Sequence, residues 1–344
     1  MTKRIYIKDI EVANRINDLF LVTDKNLAVS QKGMPYLSLR LRDKTGTMEA
    51  RVWENADEIN KLFQAGDVIE IRARAVSFRN TIQLAVSHIR KIDDSQIEPA
   101  DYSPTTDYDI DDMFETLTQL TETITSPHLK ALLHEIFSDE DILFAFKRAP
   151  AAKGMHHSYI GGLLEHTLSV TRLLDITAEH YKNIQRDLLL TGGILHDIGK
   201  IYELSFQKII DYTDEGRLVG HIILGLELVN RKIAHIEGFP EQLALELRHI
   251  LLSHHGVLEY GSPKRPKTLE ALIVNMIDDM DAKVNAFREF IDSSNDDDSN
   301  WTPYHRLFER FIYKRSEAED IIGKESDDEE GSGTGRPLHE RKFI

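Results

Sequence analysis

The stretch GGILHDIGK, from Gly192 to Lys200, decides how the larger part of this chain is interpreted, because His196 and Asp197 stand next to each other in it. A neighbouring imidazole and carboxylate can bind one pair of divalent metal ions from a single helix. They form a metal site only when ligands from distant parts of the chain join them. The rest of the sequence therefore has to supply further imidazoles and carboxylates.

Further ligand types do occur on both sides of this pair, each in or beside a helical pattern. They are His166 in GGLLEHT, His221 in VGHIILG, His254 and His255 in SHHG, and Asp278 in NMIDDMDAK. Imidazole and carboxylate ligands suit Mn²⁺, Mg²⁺, Fe²⁺, Co²⁺ or Zn²⁺, whereas structural zinc sites rely largely on thiolates. The pattern predicts a hydrolase that depends on a divalent metal.

The composition narrows the class of protein but not its function. A chain of 344 residues suggests about two domains. Its 41% hydrophobic and 29% charged residues are ordinary for a globular protein, whether enzyme or binding module. The absence of cysteine excludes disulfides, thiolate ligands and cysteine nucleophiles. No apolar run is long enough for a signal peptide or a membrane span, so we expect a cytoplasmic protein without a membrane partner.

The formal charge of −16 is unevenly distributed along the chain. Residues 1–93 contain 16 Lys and Arg against 12 Asp and Glu, whereas residues 94–115 contain eight acids and no base. Residues 316–344 contain nine acids against four bases. The average charge therefore does not exclude binding of nucleic acid by the first part of the chain.

The first part of the chain alternates apolar and polar residues with the period of two that is typical of half-buried strands. Leu37, Leu39 and Leu41 face one side of the second strand, and Asp43 to Gly46 reads as a hairpin turn into the third. A short helix near Ala56 to Phe63 precedes two more strands, VIEIRARAV and TIQLAVSHIRKI. Five strands with a helix between the third and fourth predict an OB-fold barrel.

The polar side of the second and third predicted strands combines aromatic and basic residues. These residues are Tyr36, Arg40, Arg42, Arg51 and Trp53. OB-folds present such residues to the bases and phosphates of a single strand. The alternative is a solvated face with Trp53 packed under the helix.

Four segments follow from these patterns. Residues 1–93 form the OB-fold domain, and residues 94–112 form an acidic linker that contains two prolines. In residues 113–315 the apolar spacing changes to three and four, which predicts an all-α domain. Residues 316–344 are acidic and rich in Gly and Ser, a composition typical of disorder. The predicted fold class is therefore multidomain, an all-β barrel followed by a helical domain.

The ordered series of histidines and aspartates in the helical domain resembles the HD superfamily of metal-dependent phosphohydrolases. An OB-fold followed by this kind of domain is similar to the YhaM family of bacterial 3′→5′ exoribonucleases. The motifs GGLLEHT, LHDIGK and SHHGVLEYGSPKRP carry the likeness, which extends to about residue 313.

The resemblance implies a pair of metal ions, with Mn²⁺ as the expected metal. It implies one ion held by His166, His196, Asp197 and Asp278. Asp197 would bridge to a second ion completed by His221 and His254. Such a pair activates water toward phosphorus and neutralises the phosphodiester charge, so no side-chain nucleophile is needed. Asp197 thereby becomes a catalytic as well as a metal-binding candidate.

Two of these assignments have neighbouring alternatives. His255 competes with His254, since adjacent residues on a helix point about 100° apart and usually only one faces a given centre. Asp279 and Asp281 compete with Asp278, which the family pattern favours.

Four further residues are candidates for contact with substrate. Lys200, one turn beyond Asp197, would contact a phosphate oxygen or lie in solvent. His157 would reach a phosphate or the leaving oxygen, or belong to a loop. Lys264 and Arg265, in the loop after the histidine pair, would contact the nucleic acid or lie in solvent.

The resemblance therefore implies a 3′→5′ exoribonuclease that hydrolyses single-stranded RNA, with single-stranded DNA as a second substrate. Two alternatives remain open at this stage. One is an HD nucleotide phosphohydrolase or cyclic-dinucleotide phosphodiesterase with a regulatory OB-fold. The other is a single-strand-binding module with an inactive HD site. The oligomeric state is left open by the sequence.

Overall fold

The computed structural model describes residues 3–30, 33–78, 81–93, 96–98, 101–153, 157–206, 210–294 and 299–314. The predicted disordered tail, residues 316–344, lies outside the described residues. The chain divides into two compact units, Met1–Asp278 and Asp279–Ile344, each of which is described by itself. Among the described residues, no helix is long and apolar enough to cross a bilayer.

The N-terminal part of the first unit is a closed five-stranded barrel with the strand order β1-β2-β3-β5-β4. The strands are β1 (Arg15–Val29), β2 (Pro35–Asp43), β3 (Gly46–Val52), β4 (Val68–Phe78) and β5 (Thr81–Lys91). The pairing is antiparallel except between β3 and β5, which are parallel. A short helix, α1 (Ala56–Ile59), lies between β3 and β4. These features confirm the predicted OB-fold.

Alternation in β2 sets the register of the barrel. Leu37, Leu39 and Leu41 are buried inside it, and Leu39 lies opposite Ala50 of β3. Because side chains alternate between the two faces of a strand, the residues between these leucines face outward. Helix α1 ends before Phe63, whose side chain packs into the barrel core. The predicted helix was therefore too long at its C-terminal end.

The acidic segment between the domains is attached on both sides. Tyr102 is buried against Leu19, Leu21 and Val68 of the barrel. Four residues later, the amide of Thr106 donates to the carbonyl of Ile160 in the helical domain at 2.9 Å. Part of the predicted linker therefore belongs to the packed structure of both domains.

The helical part of the first unit begins inside the segment predicted as linker. Asp109 caps the first helix by accepting from the amides of Asp111 and Asp112. The helices are α2 (Ile110–Glu122), α3 (Pro127–Phe137), α4 (Glu140–Arg148), α5 (Gly162–His180), α6 (Arg186–Leu195), α7 (Lys200–Glu203), α8 (Asp214–Leu218), α9 (His221–Ile233), α10 (Glu241–Ser253) and α11 (Leu269–Asp292). A two-stranded ladder, β6 (Leu204–Ser205) and β7 (Asp211–Tyr212), follows α7 and was not predicted.

Close approach between α5 and α6 organises the helical core. A Cβ atom added at Gly193 of α6 would lie 2.2 Å from a methyl carbon of Leu174 in α5. A side chain at Gly193 would therefore displace the end of the Leu174 side chain from the space between the two helices. The same two helices carry or precede His166 and His196, so their packing brings these two side chains together.

The second unit contains the end of α11 and a hairpin formed by residues 299–314. Phe287 and Phe290 of α11 pack against Phe308 and His305 of the hairpin, with ring centroids 4.4 and 4.3 Å apart. Ile312 is also buried, at 5% exposure.

The buried ring of Tyr102 should contribute strongly to stability. We expect Tyr102→Ala to lower the free energy of unfolding by about 3 kcal/mol, because removal of a buried aromatic ring leaves a cavity. Urea unfolding of the full chain measures this loss. Tyr108→Ala is the matched control, since Tyr108 is in the same segment but 42% exposed. An equal loss of unfolding free energy in the two variants would show that packing of Tyr102 on the barrel does not stabilise the protein.

Candidate metal centre

The predicted ligands come from five helices or from residues that directly follow them. His166 lies within α5, and Asp278 lies within α11. His196 and Asp197 follow α6, and His221 is the first residue of α9. His254 and His255 follow α10. Most of these side chains are buried, so their positions are fixed by the packing of the helices.

The first ligand group consists of His166, His196, Asp197 and Asp278, whose donor atoms lie within 4.8 Å of one another. The Nε2 atoms of His166 and His196 are 3.2 Å apart. His166 Nε2 is 3.2 Å from Asp278 Oδ1, and His196 Nε2 is 3.4 Å from Asp197 Oδ2. All four side chains therefore converge on one point.

The second ligand group consists of Asp197, His221, His254 and His255. The Nε2 atoms of His221 and His254 lie 3.5 and 3.6 Å from Asp197 Oδ1. The first group is closest to the other oxygen, Oδ2. Asp197 thus presents one carboxylate oxygen to each group, which is the geometry of a bridging ligand.

These distances fit a pair of divalent ions. Metal bonds of about 2.1 Å place neighbouring ligand atoms roughly 3.0 to 3.5 Å apart, depending on the geometry. Among the residues that the structure describes, Asp197 Oδ1, His221 Nε2 and His254 Nε2 are buried and have no hydrogen-bond partner. Buried polar atoms without partners are costly, and ions bound between them would remove that cost.

Hydrogen bonds between the second ring nitrogen, Nδ1, and backbone carbonyls orient His196 and His254. Nδ1 lies 2.7 Å from the Gly193 carbonyl in His196 and 2.8 Å from the Leu251 carbonyl in His254. In the neutral form of the ring, an Nδ1–H that donates to the carbonyl leaves Nε2 without a proton and able to bind a metal ion. The packing of the helices thus selects the tautomer as well as the position.

Glu203 performs the same role for His221 and was missed by the sequence analysis. Its carboxylate lies 3.0 Å from His221 Nδ1 and also accepts from the His221 amide at 3.0 Å. Although burial opposes ionisation, the hydrogen bond to His221 lowers the pKa of Glu203. The sequence offers one sign of this role, the position of Glu203 soon after HDIGK. An acidic residue at that position belongs to no recognisable pattern.

Both members of the histidine pair lie at the centre. The rings of His254 and His255 are 4.4 Å apart, and that of His255 is 5.0 Å from His221. Although neighbours on a helix usually point about 100° apart, both histidines offer a ligand atom to the second group. His254 is fully buried and His255 partly buried.

Lys200 is directed into the centre rather than into solvent. Its Nζ lies 2.6 Å from Asp197 Oδ2, and 11% of its side chain is exposed. Burial disfavours the charged amine, but Asp197 outweighs it and raises the pKa of Lys200. The ammonium group therefore offsets negative charge at the carboxylate shared by the two ligand groups.

The charges of the centre shift the pKa values of Asp197, Asp278 and His196. Burial alone would raise the pKa of Asp197, but Lys200 and His196 hold it well below its usual value. Hydrogen bonds from His166 and His196 lower the pKa of Asp278 in the same way. Burial opposes the charge on His196, yet these two carboxylates raise its pKa to about 10.

Gly199 allows the helix that carries His221 to reach Asp197. A Cβ atom at Gly199 would lie 2.0 Å from the carbonyl oxygen of His221 and 2.5 Å from the amide nitrogen of Gly225. Both obstacles are backbone atoms of α9 and cannot rotate away. The glycine of HDIGK is therefore a packing requirement of the second ligand group.

His157 is buried beside the first ligand group, with 1% exposure and its ring 5.6 Å from that of His166. Its Nδ1 lies 2.7 Å from the Tyr159 hydroxyl and 3.6 Å from Glu165. Its φ of 53° is unusual for a residue with a side chain. A strained backbone held in place by packing often marks a functional position.

The remaining basic candidates occupy different environments. Lys264 and Arg265 are exposed in the loop between α10 and α11. Arg42 of β2 is half-buried, and burial lowers the pKa of its guanidinium group. Of the predicted basic residues on β2 and β3, Arg40 is the exposed one and Arg51 is partly buried.

The other predicted barrel residues form one surface, here called the barrel face: Tyr36, Arg40, Arg51 and Trp53. Tyr36 and Trp53 are stacked with ring centroids 4.8 Å apart, and Trp53 is 52% exposed. Arg51 lies 5.5 Å from the centre of the Tyr36 ring. Trp53 therefore stacks on an aromatic neighbour and keeps about half of its surface open.

Comparisons with known families agree with this architecture. Residues 163–283 match the family described as HD domain, and residues 21–92 match the family described as OB-fold nucleic acid binding domain. The chain has an N-terminal OB-fold followed by an HD domain. The HD match supports a metal-dependent phosphohydrolase, in agreement with the two ligand groups.

Solved structures are similar to about a quarter of this chain. The second OB-fold domain of replication protein A from Methanococcus maripaludis is 18% identical, covering 26% of this chain and 93% of that one, with a TM-score of 0.22. The mitochondrial single-stranded DNA binding protein Rim1 from S. cerevisiae is 11% identical, covering 24% and 96%, with a TM-score of 0.22.

The protonation of His196 predicts opposite effects of pH with and without metal. In EDTA, a pKa raised from 6.5 to about 10 contributes stability that is complete below pH 6.5 and is lost as the pH rises toward 10. Metal must displace this proton, so stabilisation by Mn²⁺ should grow over the same range. Thermal unfolding from pH 6.5 to about 9, with Mn²⁺ and with EDTA, measures how the stability in EDTA and the stabilisation by Mn²⁺ each change with pH.

His196→Gln is the control for this measurement, because it removes the titrating ring. Its unfolding temperature in EDTA should depend less on pH than that of the parent protein. Stabilisation by Mn²⁺ that is constant across the pH range would contradict the assignment of His196 as a ligand.

Proposed function

We propose that this chain is a metal-dependent 3′→5′ exoribonuclease acting on single-stranded RNA, with single-stranded DNA as a second substrate. The observation that carries the proposal is the pair of ligand groups sharing Asp197, in a chain whose barrel exposes a stacked Tyr36 and Trp53. The first feature suits phosphodiester hydrolysis and the second suits binding of single strands. The 3′→5′ polarity rests on the resemblance to the YhaM family.

The residues of the centre have separate roles in this proposal. The first ligand group would hold one ion and the second group the other, with Mn²⁺ as the expected metal and Asp197 between them. A bound pair of divalent ions would supply Lewis acidity that activates water and neutralises charge on the phosphodiester. Lys200 offsets the charge of Asp197, and Glu203 holds the ring of His221 in place.

His157 is the residue to which we assign proton donation. Hydrolysis forms a bond between a water oxygen and phosphorus and breaks the bond between phosphorus and the 3′ oxygen of the preceding nucleotide. The leaving oxygen must then gain a proton. His157 is buried next to His166, and Tyr159 and Glu165 lie close to its Nδ1. These contacts orient the ring so that its other nitrogen can serve the leaving group.

The barrel face would hold the strand without reading its sequence. Bases of every kind can stack on Tyr36 and Trp53, and each stack is worth about 1 to 3 kcal/mol. Arg40 and Arg51 would contact the phosphates. Such sequence tolerance suits an enzyme that removes one nucleotide after another from the end of a strand.

The decisive experiment uses a 5′-labelled single-stranded RNA, with Mn²⁺ and separately with EDTA, resolved on a denaturing gel. We expect a ladder that shortens from the 3′ end with Mn²⁺ and an intact strand with EDTA. Asp278→Asn should slow the reaction by at least about 100-fold, because it removes a ligand. Asp279→Asn is the matched control, since Asp279 is exposed and pairs with Lys283 at 2.6 Å.

Other outcomes of this assay favour the alternative functions. Cleavage of nucleotides or cyclic dinucleotides together with intact RNA would favour a small-molecule phosphodiesterase. Binding of RNA without hydrolysis under any divalent metal would favour a binding module. Equal activity of the Asp278 and Asp279 variants would remove Asp278 from the centre.

Glu49 limits the affinity of the barrel face for RNA. Its carboxylate lies 3.3 Å from Arg40 and 3.2 Å from Arg51, so it competes with a phosphate for both guanidinium groups. We expect Glu49→Gln to tighten binding of single-stranded RNA about 2- to 5-fold, the range for an exposed charge pair. Fluorescence anisotropy in EDTA measures the affinity without degradation of the strand.

Glu54→Gln is the matched control, because Glu54 is exposed close to Trp53 and pairs with neither arginine. Its effect should be smaller than that of Glu49→Gln. Weaker binding in the Glu49 variant would show that the arginines need their carboxylate partner and do not contact phosphate.

A further inference from the structure

The hairpin of the second unit exposes an unusual number of aromatic rings. Its two strands are joined by bridges between Trp301 and Tyr313 and between His305 and Arg310. The amide of Thr302 donates to the carbonyl of Ile312 at 2.8 Å. We call residues 299–314 the aromatic hairpin.

Alternation along the strands separates a buried side from an exposed side. Thr302 and Ile312 are buried, at 3% and 5% exposure. Their neighbours Trp301, Phe311 and Tyr313 are 53%, 58% and 50% exposed. Large aromatic side chains usually avoid this much contact with water, and grouped exposure typically marks a binding surface.

The exposed rings form two edge-to-face pairs. Trp301 and Tyr313 have ring centroids 5.1 Å apart and planes inclined at 72°. Tyr304 and Phe311 have centroids 5.3 Å apart at the same inclination. Because the edge of one ring rests on its neighbour, part of the aromatic surface stays available for stacking.

The charge of the aromatic hairpin is opposite to that of the whole chain. Between residues 299 and 314 there are three basic residues, Arg306, Arg310 and Lys314, and one acid, Glu309. Arg306 and Arg310 are both exposed. Within the described residues, no carboxylate lies in ion-pair range of either guanidinium group. Arg310 Nε donates to the Phe308 carbonyl at 2.8 Å. Aromatic rings interleaved with exposed basic groups are the combination that binds single-stranded nucleic acid.

We infer that the aromatic hairpin is a second surface for single-stranded RNA, in addition to the barrel face. Bases would stack on Trp301, Tyr304 and Phe311, and Arg306 and Arg310 would contact the phosphates. Charge complementarity favours this occupant over a second copy of a chain that carries a net charge of −16. The inference rests on the proposed function, because it assigns a further contact to the same substrate.

The two tryptophans of the chain give each surface its own reporter. One is Trp53 on the barrel face and the other is Trp301 on the aromatic hairpin, and both are about half exposed. With excitation selective for tryptophan, Trp53→Phe leaves Trp301 as the one reporter, and Trp301→Phe leaves Trp53. Stacking of a base on a tryptophan quenches its fluorescence, so each full-length variant reports on one surface.

The experiment titrates each variant with single-stranded RNA of about 16 nucleotides in EDTA, with duplex RNA as the negative control. We expect single-stranded RNA to quench Trp301 in the Trp53→Phe protein, with quenching that weakens as salt is added. Unquenched Trp301 beside quenched Trp53 would overturn the inference and leave the proposed function intact. No quenching of either tryptophan would overturn both.

Affinity measurements separate stacking from general apolar contact. Trp301→Ala should weaken binding of RNA between about 5-fold and about 150-fold, the range for loss of one base–aromatic stack. Leu307→Ala is the matched control, because Leu307 is 59% exposed in the same hairpin but cannot stack. We expect it to leave RNA affinity within about 2-fold.

Self-association is the outcome that would assign the hairpin to a different partner. Sedimentation of the parent protein and of Trp301→Ala and Leu307→Ala tests for it. An oligomer that dissociates in both variants, with unchanged affinity for RNA, would overturn the inference in favour of a second copy of the chain.

Discussion

The centre depends on one buried carboxylate, Asp197, whose two oxygens face different ligand groups. Burial of a charged group is costly unless it is paired and hydrogen-bonded. In the metal-free protein, Lys200 and a protonated His196 provide the compensating charge. The helices that deliver the other ligands are therefore arranged around Asp197. The motif that contains Asp197 also contains Gly199, which lets the backbone of α9 approach.

Much of the fold follows from local patterns that the sequence displays directly. Alternation at Leu37, Leu39 and Leu41 sets one face of a strand, and the structure buries all three inside a closed barrel. The helical character of the second domain follows from apolar spacing in the same way. The small ladder of β6 and β7 could not be predicted, because two-residue strands carry too little sequence to show a period.

The ligand groups were accessible from the sequence because histidine and aspartate can be recognised as ligand types one residue at a time. Glu203 could not be recognised in this way, since its role depends on contact with His221 rather than on its chemistry alone. The packing role of Gly199 depends likewise on the backbone of α9, which lies far along the chain. The choice between His254 and His255 could not be made from the sequence, because the distance of each ring from Asp197 and His221 is set by tertiary packing.

The attachment of the acidic segment to both domains has a consequence for dissecting the protein. Composition suggests that the chain could be divided anywhere between the barrel and the helices. A barrel fragment ending before Tyr102 would expose the apolar surface around Leu19 and Val68. A helical fragment beginning after Thr106 would lose the backbone pairing with Ile160. The chain is therefore best divided between Tyr102 and Pro104. A barrel fragment that ends there keeps Tyr102, and a helical fragment that begins there keeps the pairing with Ile160.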